Sequence, residues 1–142
     1  MKNFISFIIV SLFIISCSST KNTSMNQGVT SAAKNDTVRI ANDELEYEII
    51  IIDPGFSSWL VSRAQPRNFH SQNYMETRNR TWVTNWNINV NSSIRNRDLF
   101  EMTINYDNHI DYGYEVNYLL FNYLTYFQLT NNIQLGGFPA RI

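Results

Sequence analysis

The sequence predicts a small α+β domain, a sheet of about three strands packed with two to three helices, behind an N-terminal export signal. Three observations predict it. The run Tyr47-Glu48-Ile49-Ile50-Ile51-Ile52 is rich in β-branched residues and stops at Asp53-Pro54-Gly55, which is strand composition ended by turn chemistry. The stretches 71–91 and 113–130 repeat apolar residues at helical spacing. About a hundred residues follow position 36 in a chain of 142, which suits one core.

The N-terminus comes first. Lys2 precedes the apolar run Phe4 to Ile15, twelve residues broken by Ser6 and Ser11, whereas a helical span needs about twenty apolar residues. Such a run is the hydrophobic part of a signal peptide. Ile14-Ile15-Ser16-Cys17 has the branched residue three before the cysteine and the small residue just before it that a lipobox requires, and Cys17 is the only cysteine in the chain. The expectation is that residues 1–16 are removed and that Cys17 carries acyl chains, palmitate among them, anchoring the protein to a membrane outside the cytoplasm. With Cys17 modified no thiol remains for a disulfide, so the domain must be stable through its core alone.

From Ser18 to about Asn35 the chain is mostly Ser, Thr, Asn, Gln, Gly, Ala and Lys with scarcely an apolar side chain, so residues 17–36 read as the lipidated cysteine and a tether with a coil reach of about 25 Å. Ser18 follows the cysteine and no acidic pair follows Lys21. By resemblance to sorting signals, that places the anchor at the periplasmic face of the outer membrane. Residues 37–142 form the expected single domain.

Within it, Thr37–Ala41 and Leu45–Asp53 are expected strands around a turn at Asn42-Asp43. The four consecutive isoleucines predict a central strand covered on both faces. Phe56–Ala64 reads as a short helix ended before Pro66. Ser71–Asn91 has Met75, Trp82, Val83, Trp86 and Val90 on one helical face, although Trp86 to Val90 also alternates; the expectation is a helix that frays near Asn87. Leu99–Tyr106 alternates Phe100, Met102, Ile104 and Tyr106 with polar residues and predicts a third strand. Asp107–Asp111 is a polar loop. Gly113–Thr130 predicts a helix with Val116, Leu119, Leu120, Tyr123 and Phe127 in one stripe and Asp111 as cap. Asparagine is about one residue in eight, which weakens local propensity throughout.

Charge is segregated although the total is −1. From Asp36 to Asp53 six acids face Arg39 alone; Arg63, Arg67, Arg78, Arg80, Arg95 and Arg97 face Glu76 alone; Asp98 to Glu115 holds five acids and no base. The simplest arrangement sets arginines across carboxylates within the fold. The functional alternative is a partner-binding face built from Arg63, Arg67, Arg78 and Arg80, or from Tyr114, Tyr118 and Tyr126 on the last helix, where aromatic rings combine contact area with polar tips. Compartment and near-neutral charge exclude nucleic acid as the partner.

Catalytic signals are sparse. No Gly-x-Ser-x-Gly, phosphate loop or candidate catalytic cysteine is present, and nothing calls for a cofactor. Asp107, His109 and Asp111 share one loop that could hold a metal, but it lacks calcium-loop spacing and reads as a cap and turn, so no metal is expected. Trp59, Trp82 and Trp86 are candidate glycan contacts, against a core role suggested by their spacing. Two functional readings follow: a non-catalytic binding or assembly accessory of the cell envelope, and a small envelope hydrolase or glycan-binding protein.

The stretch from Asp43 to Phe56, the segments Arg78-Asn79-Arg80 and Trp82-Val83-Thr84, and the run Asp111 to Leu120, together with the lipobox and tether, resemble an uncharacterised family of small Bacteroidota lipoproteins, a domain of unknown function. The resemblance covers nearly the whole domain. It implies the lipid-anchored address and a single domain, and brings no activity, ligand or catalytic residue.

Overall fold

The computed structural model describes residues 37–92 and 99–142. The signal segment, Cys17, the expected tether, Arg95 and Arg97 lie outside them. The order of elements is β1 (Thr37–Asn42), a 3-10 turn (Asp43–Leu45), β2 (Tyr47–Ile52), α1 (Pro54–Ser62), α2 (Gln72–Asn91) and α3 (Gly113–Asn131). Among the described residues, three helices and a two-stranded antiparallel sheet make this an α+β domain.

The hairpin forms where the β-branched residues lie, and its turn is set by one side chain. Asn42 Oδ1 accepts from the backbone N–H of Glu44 and Leu45 at 3.0 and 3.2 Å, and Glu46 takes the left-handed conformation at φ 50° to bring the chain back. The expected turn at Asn42-Asp43 is therefore longer, and β2 starts at Tyr47. In the register Thr37 pairs with Ile52, Arg39 with Ile50 and Ile40 with Ile49. β1 packs on α1 and α3, leaving β2 as the outer strand.

Two expectations are corrected here. The four isoleucines are not covered on both faces: Ile51 is 5% exposed, whereas Ile52 is 77% exposed. The alternation of side chains sends Ile49 and Ile51 to the helices, and no second layer covers Ile50 and Ile52 among the described residues. The segment Leu99–Tyr106 is not a strand. Phe100 and Ile104 do turn into the core, but the backbone pairs with side chains of α2 instead of with a neighbouring strand. Trp86 Nε1 donates to Met102 O at 2.8 Å; Asn87 Oδ1 accepts from Ile104 N at 2.8 Å while its Nδ2 donates to Ile104 O at 2.9 Å. Period-two burial does not survive, since Met102 is 74% exposed; the inward turns at Phe100 and Ile104 stand without a ladder because an asparagine amide presents the same donor and acceptor pair as a peptide.

The helices start at side-chain caps. Asp53 accepts from Gly55 N at 2.9 Å with Pro54 in the first turn of α1, and Ser71 accepts from Tyr74 N at the start of α2. Asp111 accepts from Gly113 N at 2.9 Å, although Tyr112 is the cap residue of α3. α2 continues unbroken to Asn91, past the expected fraying point. Its polar face is self-satisfied: Thr77, Thr81, Thr84, Asn85, Asn89 and Asn91 each donate to the carbonyl four residues earlier.

α3 is the centre of the domain, with α2 on one side and β1 and α1 on others. Phe127 packs at a tilt on Trp86 at 4.5 Å and Phe121 stacks on Trp82 at 5.4 Å. On the sheet side, Phe56 meets Tyr123 and Tyr126 at 5.3 and 5.6 Å. Polar residues on this helix are buried too. Asn117 joins Tyr106, Asn79, Glu76 and the Gly113 carbonyl, and Gln128 donates to Leu124 O while accepting from Leu135 N.

Candidate functional site

The basic face does not form as one patch. Arg63 is exposed just beyond α1, where its backbone N–H donates to Trp59 O. Arg67 reaches across to the third charge block, its Nε lying 2.9 and 3.0 Å from the two oxygens of Glu115, and its guanidinium sits 4.7 Å over the Tyr118 ring. Arg80 pairs with Glu76 one turn back at 3.8 Å. Arg78 instead stands 3.3 Å over the Tyr74 ring and 5.0 Å from that of Phe138.

The tyrosines are turned inward. Tyr118 and Tyr126 are 6% and 9% exposed; their hydroxyls donate to Gln65 O at 2.8 Å and to Asp53 Oδ1 at 2.9 Å, and burial pushes both above the ordinary tyrosine range. Tyr114 is half-buried and acts as a strut: it accepts from Asn68 N at 2.6 Å and donates to His70 O. Its clamp holds Asn68 in the left-handed conformation at φ 70°, which shapes the loop between α1 and α2.

That loop builds the most distinctive surface of the domain. The Phe69 ring meets His70 edge-on at 4.7 Å, His70 stacks flat on Tyr74 at 4.2 Å and 8°, Tyr74 carries Arg78, and Arg78 carries Phe138. Five side chains from a loop, α2 and the C-terminal segment thus form one continuous stack with an exposed phenylalanine at each end, Phe69 at 60% and Phe138 at 36%. Trp82 Nε1 anchors the C-terminal segment by donating to Phe138 O at 3.0 Å. The His70 pKa is lowered by burial first and by Arg78 second, so the ring stays neutral at pH 7 and offers a π face rather than a charge. Of this stack only Arg78 was marked by sequence. Phe69 and Phe138 carry no periodic signal, since both sit outside helices.

Among the tryptophans, Trp82 and Trp86 are in the core at 1% and 5% exposure, and Trp59 is half-buried against Phe56 and Tyr126. None lines an open groove with acids. In the polar loop His109 Nδ1 lies 3.0 Å from Asp107, which the His109 backbone N–H also caps, holding that carboxyl below its usual range. Asp111 is engaged by Gly113 N and Gln72 Nε2. No group of three potential metal ligands occurs among the described residues. An open depression beside Thr84, Asn87, Ile88, Asn91 and Ser92 has no charged lining, and its Thr84 and Ser92 hydroxyls donate to the carbonyls of Arg80 and Asn89 with no base beside them in the lining.

A compact α+β domain whose aromatic and basic side chains are organised for packing and surface stacking is the class that fold and site define. The chain belongs to the family of unknown function DUF6146, whose model matches residues 5–140. No curated protein and no solved structure matches it. Among the described residues, no helix is long and apolar enough to cross a membrane.

Proposed function

We propose that this protein is a lipid-anchored accessory of the cell envelope, held through Cys17 at the periplasmic face of the outer membrane, that binds an envelope protein rather than catalysing a reaction. The stack Phe69–His70–Tyr74–Arg78–Phe138 is the observation that carries the binding role. Aromatic and arginine side chains dominate the energetics of protein interfaces, and here they are pre-stacked, so little ordering is needed on association. The lipobox Ile14-Ile15-Ser16-Cys17 supports the address. The hydrolase or glycan-binding alternative loses its main support when Trp82 and Trp86 are core residues.

The test is crosslinking in intact cells from a photoreactive residue at position 69, with position 44 as control. A discrete envelope protein captured from 69 alone, and lost in Phe138→Ala, is expected; equal capture from both positions removes the binding role. Lipid labelling that persists in Cys17→Ala would refute the anchor.

A further inference from the structure

The hairpin is polarised along its length. Its tip carries Asp43, Glu44 and Glu46, all exposed. Arg39 is drawn toward that end by Asp43 at 3.1 Å and by Glu48. At the opposite end the outer face carries Ile52, 77% exposed and paired with Thr37, and one step inward Ile50, 55% exposed and paired with Arg39, whose guanidinium is held toward the tip. Of the two acids that adjoin this end in sequence, Asp36 lies outside the described residues, and Asp53 is turned away into the α1 cap and the Tyr126 hydroxyl. That same contact brings the end of α3 alongside, where Leu129 is 42% exposed one turn beyond Tyr126.

The isoleucine end is also where the chain enters the domain. Nineteen residues separate Cys17 from Thr37; the coil span expected for them, about 25 Å, is close to the length of the hairpin itself, about 20 Å for six residues. We infer that the Ile50–Ile52–Leu129 end of the domain is a membrane-docking surface that rests on the lipid leaflet into which Cys17 is anchored, with the acidic hairpin tip pointing away. The inference rests on the lipoprotein reading proposed above. Burying two isoleucines and a leucine shallowly among acyl chains is favourable by their apolar area, while repulsion of the acidic tip from anionic headgroups sets the orientation. A two-stranded sheet has no other layer to cover these side chains among the described residues.

The experiment uses the full chain purified from membranes and reconstituted into phosphatidylethanolamine and phosphatidylglycerol vesicles. If Cys17 is a lipidated thioether, the wild-type protein does not react with a maleimide and floats with the vesicles; a reactive thiol in non-floating protein overturns the anchor and the docking surface together. In Ile52→Cys and Glu44→Cys the introduced thiol takes an environment-sensitive label. At position 52, quenching by spin-labelled lipid at least twice that at position 44, with a blue-shifted emission, is expected. Equal and weak lipid quenching at both positions, in protein that floats and carries the acyl mass at Cys17, overturns the docking surface alone. Protection at position 52 without lipid quenching, accompanied by crosslinked pairs, would instead assign the open β2 edge to a second copy and also overturn it.

Discussion

α3 buries twelve of its nineteen residues, including Asn117, Asn122, Thr125 and Gln128, whereas β2 buries Ile51 alone of its six. The contrast runs against composition, because β2 is the more apolar segment. Position decides it. α3 is flanked by α2, α1 and β1, so between Val116 and Gln128 every residue but Tyr123 is buried. Its amides remain tolerable there because they bond to the carbonyl one turn back, as Asn122 does to Tyr118 O and Gln128 to Leu124 O at 2.8 and 3.0 Å. β2 has one covered face and one open edge. Apolar residues are interior only where a second layer exists to meet them.

This contrast can be broken or sharpened by substitution. The largest effect is expected from Trp82→Ala, which empties the seam between α2 and α3 and releases the donor to Phe138 O: a loss of about 3–5 kcal/mol in chemical denaturation, with the C-terminal segment becoming protease-sensitive. Ile51→Ala should cost about 2–3 kcal/mol, because the hairpin's inner face is a true core even though the sheet is thin. Asn117→Ala should cost about 1–3 kcal/mol, by leaving the Asn79 amide without one of its acceptors and the Tyr106 hydroxyl without its partner; a neutral result would show that the polar junction between α2 and α3 is dispensable.

A smaller effect follows from His70. Its folded pKa lies below the ordinary value near 6.5, so between the two values the unfolded chain binds more protons and stability rises with pH. Acidifying through about pH 6.5 should therefore lower the melting temperature until the folded ring is itself protonated, and His70→Gln should flatten that slope; an NMR titration midpoint at or above 6.5 would contradict the burial of the stack. The smallest effect is expected from Ile52→Ala, within about 0.5 kcal/mol despite being one residue from Ile51. A loss as large as that of Ile51→Ala would mean that the outer face is covered in solution.

How far the sequence could be read follows from the same physics. The helical stripes of α2 and α3 were legible because a period-3.6 pattern sustained over about five turns outweighs the short alternation at Trp86 to Val90, and the break at Asp53-Pro54-Gly55 fixed the end of β2. The third strand was misread because only Phe100 and Ile104 of its alternating set are buried, Met102 between them being exposed, and because alternation does not report what the backbone bonds to. The isoleucine run was misread because local sequence cannot count layers. For the site, the arginine block was visible, and two of its partners lie one turn away, Glu76 for Arg80 and Tyr74 for Arg78, whereas Glu115 for Arg67, 48 residues away, and Phe138 for Arg78 depend on the fold. Phe69 and Phe138 could have been flagged only as large aromatic residues in segments that no periodic core demands.

Asn87 ties two parts of the molecule into one opening event. Its amide holds both backbone groups of Ile104, seventeen residues on, so a segment with no regular structure inherits the lifetime of the helix that grips it. In hydrogen exchange the Ile104 amide should be as slow as its neighbours on α2 rather than as fast as a surface loop, and both should be released together.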